Sequence, residues 1–569
     1  MIALSCDILV VGSGGAGLTA AIHARNSGMD TVVINKAPVA HSGSTLMAIG
    51  GLAAVDSSWM SEGDSTELHI EDTLRGGKHL NELPLVRRIV EGAAEAAKEL
   101  ERMGVMYDRD PESGRIALLR PDAGHSKNRA LSAGRRIGHE LVQTLYGEAL
   151  KVGVRMLGCM TLISVEKTKE GRACGAICLD TVENELTAIS ARAVVIASGG
   201  AGNLYSQTDA PMDVTGDACA AALLAGACVT DMEFFQFHPT GLLKPDSRRG
   251  FLGTHLSLAR LYNGRHERFM QNYDAERLER STRDTVSRAM MLEIRAGRGS
   301  ANGGIYAGLT HLDRSELEKK LPEYMKLYSK LGIDPSKDLI ELSPTAHYTM
   351  GGLRVNESWE TDLPGLFAAG EVCGGVHGAN RLSQNALTEM LVSGMTAGDA
   401  ASEYAGKTEL CSISDERAAD AYVMLKGIIG KKGLNTMQWR ERLQSIMSDK
   451  AGVLRSREGL TEAISELITL RSTDMSVSDS AGDIQTALEN RAMSLLALTT
   501  AYAALSREES RGSHMRLDCP ETDEENGYYH TVFRIRGKRI EAQRVPVSTG
   551  ETMNWELDED AWQDCDIAL

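Results

Sequence analysis

The 569-residue sequence predicts an α/β protein: a two-dinucleotide-binding-type domain, an inserted α+β capping domain and a C-terminal helical domain. The first observation is a βαβ unit. A strand at about Ile8–Val11 passes through glycines into an Ala-rich helix that ends near Asn26, and a strand follows at Thr31–Asn35. The second is a pair of short apolar runs, Arg192–Ser198 and Leu366–Ala369, each followed by glycine, as expected for buried parallel strands. The third is a charged region of helical pattern between these runs, which indicates an insertion.

These segments divide the chain, which at this length is too long for one hydrophobic core. Residues 1–240 are predicted as the first part of the dinucleotide-binding domain and residues 346–412 as its second part. Residues 241–345 form the predicted capping domain between them. A helical pattern with long charged faces predicts a helical domain at residues 413–540, and residues 541–569 are left as a C-terminal tail.

Composition and charge restrict the classes of function. The formal net charge of −17 disfavours general binding to nucleic acid or to an anionic membrane, because the long-range field repels both. The ten cysteines contain no CxxC pair, so the sequence predicts neither a zinc nor an iron–sulfur site, and no other metal site. We see neither an export signal nor a run of about 18 apolar residues. We therefore expect a cytoplasmic protein without direct membrane insertion, or one that is peripheral to a membrane through a partner.

A glycine-rich turn between the first strand and the first helix is the strongest local motif. Gly12 permits the tight turn, Gly14 lets the backbone approach a pyrophosphate, and Gly17 lets the helix pack on the strand. The backbone N–H groups of Gly15 and Ala16, at the start of the helix, can bind phosphate oxygens. The motif in this position therefore predicts a bound dinucleotide.

Further turns are candidates for the same cofactor site. The second strand leads into Asn35 and Lys36 where NAD-binding proteins place an acidic residue, and the Asn35 amide oxygen can still accept a ribose hydroxyl. In two-dinucleotide-binding flavoproteins, a carboxylate placed like Glu371 holds a hydroxyl on the flavin side of the cofactor. Small residues that could lie against the cofactor are Ser42, Ser44, Thr45, Gly50 and Gly51 after the second strand, and Ser198, Gly199 and Gly200 after a later one.

Six blocks of sequence follow one another in the order found in one enzyme family. They are Gly216-Asp217, Asp231–Gly241, Thr282–Arg288, Pro344–Gly352, His377–Leu382 and Ser510–His514. With these blocks, the chain resembles over nearly its whole length the flavoprotein subunits of fumarate reductase and succinate dehydrogenase, a family that includes L-aspartate oxidase. The resemblance implies an FAD-binding domain and hydride transfer between FAD and a small dicarboxylate, most simply fumarate or succinate.

The resemblance implies particular cofactor contacts. Asp217 would bind the adenosine part of FAD and Glu371 the flavin side, with Arg381 and Asn385 as further contacts. Family members that bind FAD covalently carry a histidine six residues before a glycine pair, and the residue at that position here is Ser44. We therefore expect non-covalent FAD, as in L-aspartate oxidase.

The resemblance also implies the catalytic residues. His238, His347 and Arg381 would hold the substrate carboxylates, and Arg283 would stand nearest the carbon that gains or loses a proton. The residue types agree with this chemistry, because a dicarboxylate needs donors at both of its ends. Arginine offers a planar fork that binds a carboxylate through two hydrogen bonds, and histidine can donate one.

One segment differs from the family pattern. Thr254 matches, but His255 stands where the family has a glutamate and Leu258 stands where it has an arginine, and these two family residues relay protons to the catalytic arginine. His255 can transfer protons near neutral pH, so Thr254 and His255 join the candidate catalytic residues. Ile49 occupies a position that is usually acidic or an amide.

Four functions remain open from the sequence. The first is a fumarate reductase or succinate dehydrogenase flavoprotein subunit that exchanges electrons with an iron–sulfur subunit. The second is an L-aspartate oxidase-like enzyme, which Ser44 favours. The third is a reductase or dehydrogenase of a substituted succinate-type acid, for which Ile49, His255 and Leu258 would make a less polar pocket. The fourth is a flavin electron relay without its own substrate, which the retained histidines and arginines disfavour.

Overall fold

The computed structural model describes residues 2–119, 124–134, 136–254, 256–550, 552–553 and 556–568. Its strands β1 to β23 are, in chain order, Ile2–Ser5, Ile8–Val11, Thr31–Ile34, Leu52–Ala53, Leu118–Leu119, Ala130–Leu131, Arg155–Leu157, Met160–Lys167, Ala173–Asp180, Glu185–Ser190, Ala193–Ile196, Val229–Thr230, Phe235–Leu242, Arg260–Tyr262, Ile305–Gly308, Ile340–Thr349, Gly352–Leu353, Leu366–Ala368, Leu434–Asn435, Met475–Ser476, Tyr529–Arg536, Arg539–Pro546 and Gln563–Ala568. Its α-helices α1 to α14 are Gly15–Asn26, Ser44–Met47, Thr66–Gly76, Leu83–Met103, Ile137–Lys151, Asp217–Ala225, Arg283–Glu293, Arg314–Lys320, Pro322–Lys330, Asn385–Gly406, Asp415–Ile428, Thr436–Lys450, Arg457–Ser472 and Ala481–Ser506.

The predicted βαβ unit lies in a five-stranded parallel sheet with the order β18-β11-β2-β3-β7. Every residue of β2, β3 and β11 is buried, as is typical of parallel strands that are covered on both faces. Helix α1 packs against α10 and α5. The strands are slightly shorter than predicted, since β3 ends at Ile34 and β11 and β18 end at Ile196 and Ala368. The carboxyl ends of β2, β11 and β18 therefore bring three glycine-containing turns to one edge of the sheet.

A second sheet, in the order β1-β10-β9-β8, lies in the same part of the chain. Strand β1 runs parallel to β10, whereas β10, β9 and β8 form an antiparallel meander. Helix α6, which begins at Asp217, packs against β8 and against the long helix α14. This packing connects one candidate cofactor residue directly to the C-terminal helices.

The capping region has a hydrophobic core of its own, formed by residues between Leu242 and Leu342. It was predicted as an α+β domain from a charged, helical pattern that did not locate its strands, and the structure contains a four-stranded antiparallel sheet in the order β13-β16-β15-β14. Helix α7 packs against both β13 and β16. These two strands cross the predicted domain boundaries at residues 240/241 and 345/346, so the domain limits stay a prediction.

The C-terminal region begins with the four helices α11 to α14, as the charged helical pattern predicted. Helix α14 packs against α12, α13 and α6. The chain then forms β21, β22 and β23, which join β12 and β17 in a five-stranded sheet. Strand β22, Arg539–Pro546, continues across the predicted start of the tail at residue 541. In the described ranges, no helix combines the length and the hydropathy needed to cross a membrane.

Candidate functional site

The two candidate histidines are brought together by paired strands that enter the cap. In the antiparallel ladder of β13 and β16, Phe237 pairs with Ala346 and His238 with Thr345. Irregularities interrupt the ladder on either side of these pairs, and His347 has no partner across it. A bulge of this kind turns a side chain away from its regular direction. The rings of His238 and His347 lie 5.2 Å apart between centroids, at an angle of 67°.

Each histidine ring is oriented by a nearby polar side chain. His347 Nδ1 lies 2.7 Å from Asp209 Oδ2, and His238 Nδ1 lies 2.9 Å from Thr240 Oγ1. Burial lowers the pKa of His347; Asp209 acts in the opposite direction, and the charges of Arg381 and Arg283 lower the pKa further. The His347 ring is therefore neutral at neutral pH before an anion arrives, while its orientation is already set.

Arg381 is buried and has no carboxylate partner among the residues that the structure describes. Its Nη2 donates to Gln236 Oε1 at 2.9 Å, and its guanidinium carbon lies 4.5 Å from the centroid of the Tyr348 ring. The Nε atom has no hydrogen-bond partner in the described ranges. Burial lowers the pKa of Arg381 to about 10, and the charge of Arg283 adds to this effect. Arg381 therefore stays cationic at neutral pH in a place that favours a bound anion.

Arg283 is the first residue of α7, and its Nη2 lies 3.3 Å from Ser383 Oγ. Its influence on the pKa values of His347 and Arg381 places it in the same site. Thr254 is buried, and within the described part of the chain its hydroxyl has no hydrogen-bond partner. No hydrogen bond joins Thr254 to the histidines or arginines there. His255 lies outside the described residues, and Leu258 packs against the core of the cap.

The glycine-rich turn has the geometry that a pyrophosphate site requires. Gly12 has φ +113°, and a side chain on it would overlap the backbone of Ala197. A side chain on Gly17 would overlap the carbonyl oxygen of Gly12, so both glycines are needed for close packing. A Cβ atom on Gly14, by contrast, would meet only Thr45 Oγ1, at 3.7 Å. The backbone at Gly14 therefore faces open space at the start of α1, where an anion gains from the helix dipole.

A buried ionic network surrounds the residue that is expected to bind adenosine. Lys36 Nζ lies 2.8 Å from Asp217 Oδ1 and 3.0 Å from Glu489 Oε1, and it also contacts Thr215. Glu489 in turn pairs with Arg440 at 2.7 Å. Burial opposes both charges, but the pKa of Lys36 is raised because the attraction of the two carboxylates is stronger, and the pKa of Asp217 is lowered by Lys36. Lys36 and Asp217 therefore bind each other and connect the cofactor domain to helices α12 and α14.

Glu371 follows β18, and its carboxyl oxygen accepts the N–H of Thr349 at 3.1 Å. Burial raises the pKa of Glu371 to about 8, so the group is protonated at neutral pH and can donate as well as accept. A Cβ atom on Gly200 would overlap Glu371. A Cβ atom on Gly199, which has φ +76°, would meet only Val214, at 4.0 Å, and the buried Ser198 hydroxyl has no partner in the described ranges. These features leave polar groups facing the edge of the parallel sheet where a flavin would lie.

The remaining predicted cofactor residues divide into two groups. The amide oxygen of Asn35 accepts the N–H of Ser13, and its amide nitrogen donates to Ala37 and to Ser42, so this side chain holds the turn together. The Asn385 amide is similarly engaged, by His69 at 2.9 Å and Thr73 at 2.9 Å. The second group lies in or beside the short helix α2: Ser44 and Thr45 are half-buried, Gly50 is exposed with open space beside it, and Gly51 packs against Leu131.

Several residues of the site were missed from the sequence. Gln236 and Tyr348 lie within the blocks that carry the family resemblance, next but one to His238 and next to His347, so their positions could have been noticed. Asp209 and Ser383 lie outside those blocks, and Glu489 lies 453 residues from its partner Lys36. Nothing in the local sequence marks these three.

Comparisons with known proteins agree with this geometry. The chain matches the family models described as FAD binding domain, over residues 7–387, and fumarate reductase flavoprotein C-terminal region, over residues 440–560. One subunit of the fumarate reductase (CoM/CoB) of Methanothermobacter marburgensis is 38% identical, with 91% of this chain and 95% of that protein covered. The L-aspartate oxidase of Streptomyces coelicolor is 33% identical, with 94% and 93% covered.

Solved structures give the same result. A variant of E. coli quinol fumarate reductase is similar with a TM-score of 0.87 and 32% identity, covering 98% of this chain and 99% of that one. The family and the fold class predicted from the sequence are both confirmed.

Proposed function

The chain belongs to the flavoprotein family of fumarate reductase and succinate dehydrogenase, and we propose that it transfers hydride between FAD and the central carbon–carbon bond of a small dicarboxylate. It is an FAD-dependent oxidoreductase. Fumarate and succinate are the proposed substrate pair, because the relatives in this family carry the names of these reactions.

One observation carries the proposal: Arg381 is buried without a carboxylate partner in the described ranges, beside Arg283 and His347. Burying a cation without a counter-ion is costly, and a bound anion would remove that cost. The Thr254 hydroxyl and Arg381 Nε have no hydrogen-bond partner in the described ranges, and we assign them as further donors for the oxygen atoms of the anion. A flavin electron relay without its own substrate would have no need of this arrangement.

Different side chains are proposed to bind the two ends of the substrate. We assign one carboxylate to the Arg381 fork and the other to His238 and His347, with the Thr254 hydroxyl as an additional donor. A dianion beside His347 favours the protonated ring, in which Nδ1 donates to Asp209 and Nε2 donates to the carboxylate. Substrate binding should therefore be accompanied by proton uptake at His347.

The reaction also requires a hydride and a proton on adjacent carbons. When bound, FAD supplies the hydride donor or acceptor. We assign the proton transfer to Arg283, which Ser383 holds at 3.3 Å and which lies at the N-terminus of α7. The FAD is proposed to be non-covalent, because Ser44 cannot form the histidyl bond.

An iron–sulfur subunit is the proposed electron partner, since relatives are named as subunits of larger enzymes. Through such a partner, a cytoplasmic protein could also be peripheral to a membrane. An L-aspartate oxidase-like activity is the second candidate, favoured by Ser44 and by the 33% identity to such an enzyme.

A substrate screen tests the proposal. FAD-loaded protein is mixed anaerobically with a reduced viologen dye and, separately, with fumarate, mesaconate or a longer alkenedioate. We expect bleaching of the dye with fumarate and slower bleaching with the bulkier acids. Faster bleaching with mesaconate would instead indicate a substituted succinate, and peroxide formed from L-aspartate in air would indicate the oxidase. No reaction with any dicarboxylate would refute the proposed function.

Acid precipitation tests how the flavin is attached. We expect all of the yellow colour in the supernatant, because no histidine stands at the position of Ser44. Flavin that stays with the precipitated protein would contradict non-covalent binding.

A further inference from the structure

The charge of Arg381 must be stabilised by other groups of the protein when no anion is bound. No described carboxylate forms an ion pair with its guanidinium. The nearest groups are the amide of Gln236 and the face of the Tyr348 ring, 4.5 Å from the guanidinium carbon. A cation over an aromatic face is attracted by the electron density of the ring, and the attraction is larger where water is excluded. The Tyr348 ring therefore contributes to stabilising the positive charge of Arg381.

Behind Tyr348, a second layer of buried polar groups supplies a negative charge. The Tyr348 hydroxyl donates to Glu389 Oε2 at 2.5 Å, and His377 Nε2 lies 2.8 Å from the same oxygen. His377 and Glu389 are almost completely buried. Burial raises the pKa of Tyr348 well above its usual value, so the phenol keeps its proton and acts as the donor. Glu389 belongs to α10, the helix that starts at Asn385.

The order of these groups has an electronic consequence. A carboxylate that accepts a hydrogen bond from a phenol polarises the O–H bond and shifts electron density into the ring. A richer ring attracts the guanidinium more strongly on its far side. Glu389 thus stabilises the charge of Arg381 through the ring, without a direct ion pair. A direct pair would occupy the donors that a substrate carboxylate must reach.

Gln236 completes the arrangement from the other side. Its amide oxygen accepts from Arg381 Nη2 at 2.9 Å, while its amide nitrogen donates to the Arg381 backbone carbonyl at 2.9 Å. This pair of bonds fixes the head of the side chain relative to its own backbone. An arginine held in this way loses less entropy when it binds a carboxylate than a mobile one would.

We propose that Tyr348, Glu389 and His377 are positioning residues that hold Arg381 ready for a substrate carboxylate, with Glu389 acting as its remote counter-ion through the Tyr348 ring. The inference depends on the proposed function, because it takes Arg381 as the residue that binds the carboxylate.

Three variants test the inference. Tyr348→Phe keeps the ring and removes the hydroxyl, Glu389→Gln keeps the shape and removes the charge, and the double variant combines them. The matched control is Tyr205→Phe, which also loses a buried hydroxyl, one that is bonded to the Ala451 carbonyl oxygen at 3.2 Å and has no contact with Arg381. Binding of succinate is measured by the change that it causes in the flavin absorption spectrum, together with KM and kcat for fumarate.

We expect each single variant to raise the Kd of succinate and the KM of fumarate about tenfold, with kcat reduced less than threefold and the flavin spectrum unchanged. The double variant should be no weaker than the Glu389→Gln variant, because both changes interrupt the same path. The Tyr205→Phe control should bind as the wild type does.

The possible failures can be told apart. A wild-type protein that binds no succinate and reduces no fumarate would contradict the proposed function itself. A functional wild type with unchanged Kd values in Tyr348→Phe would overturn the inference, as would a double variant whose defect is the product of the single ones. If Glu389→Gln does not fold, Tyr348→Phe still decides, because it preserves the packing of the ring. A variant that loses kcat and bound FAD together, without a selective rise in the Kd of succinate, would indicate general damage to the protein and would also overturn the inference.

Discussion

Buried charges are paired directly in the Lys36–Asp217 network, whereas Arg381 has no direct ion-pair partner among the described residues. Around Lys36, two cations and two carboxylates pair in a chain of contacts of 2.7 to 3.0 Å. Around Arg381, no described carboxylate forms a direct ion pair, the charge of Arg283 disfavours the charged form of Arg381, and Glu371 is protonated at neutral pH because its pKa is raised to about 8. Without a substrate, the charges of the first region are paired directly, whereas the charge of Arg381 is not.

The difference shows where the fold serves stability and where it serves binding. A complete buried network resists rearrangement and fixes how the helices sit on the cofactor domain, although it contributes little net free energy. A buried cation without a directly paired counter-ion destabilises the protein by itself and becomes favourable when an anion binds to it. The same fold therefore contains a structural ionic site and a ligand-dependent one, and substitutions in the two should affect different measurements.

The largest expected effect is on catalysis. Arg283→Ala removes the proposed proton donor, and we expect kcat to fall by roughly 10²- to 10⁴-fold, the usual contribution of a positioned acid or base. The FAD content and the melting temperature should change little. The control is Arg280→Ala, three residues earlier and exposed, which should keep wild-type turnover. Turnover of the Arg283→Ala variant within a few-fold of the wild type would exclude Arg283 as the proton donor.

Lys36→Met tests the complete network. The substitution leaves Asp217 and Glu489 buried without their shared cation, and breaking a buried pair in this way costs about 3–5 kcal/mol. We expect a clear fall in the melting temperature together with weaker FAD binding. The matched control is Lys431→Met, which breaks a pair with Asp474 of similar length on the surface. Such a pair is worth about 0–1 kcal/mol, so equal losses in the two variants would contradict the structural role of Lys36.

Gly14→Ala separates cofactor binding from folding. The added Cβ meets only Thr45 Oγ1 at 3.7 Å, so the protein without cofactor should keep its melting temperature. The methyl group would stand where the pyrophosphate approaches the backbone, and we expect the Kd of FAD to rise roughly tenfold, or about 1.4 kcal/mol. Gly482→Ala, in the open first turn of α14, is the control and should bind FAD normally. Unchanged FAD affinity in Gly14→Ala would place the pyrophosphate elsewhere.

The parts of this molecule that could be predicted from the sequence are those in which local chemistry decides the structure. The glycine turn was predictable because Gly12 and Gly17 each meet a steric demand within the βαβ unit. The cap was predicted to be α+β, but the positions of its strands were not, although apolar and polar residues alternate along much of β13 and β16, with His238 and Glu341 at polar positions. Their pairing is decided by the packing of distant segments rather than by local preference.

The candidate site was predicted as a set of residues but not as an arrangement. The blocks that carry the family resemblance contain His238, His347 and Arg381, yet the bulge that leaves His347 outside the ladder depends on strand register. Register is a non-local property, and so are the contacts of Asp209 with His347 and of Glu489 with Lys36. The sequence therefore predicts which groups take part, whereas their charge balance requires the structure.

A pH dependence should also distinguish the two regions. The pKa of Glu371 is raised by burial from 4.5 to about 8 in the folded protein, so the folded state holds a proton that the unfolded chain releases between these values. Stability without cofactor should therefore be greatest below about pH 4.5, as far as this group is concerned, and should fall as the pH rises towards 8. The measurement is the melting temperature of the FAD-free protein across this range, for the wild type and for Glu371→Gln. Because every other titrating group is common to both proteins, the difference between the two curves isolates Glu371: the wild type should lose stability relative to the variant as the pH rises. Parallel curves would mean that Glu371 is already ionised in the folded state, and the contrast with the fully paired carboxylates around Lys36 would then be lost.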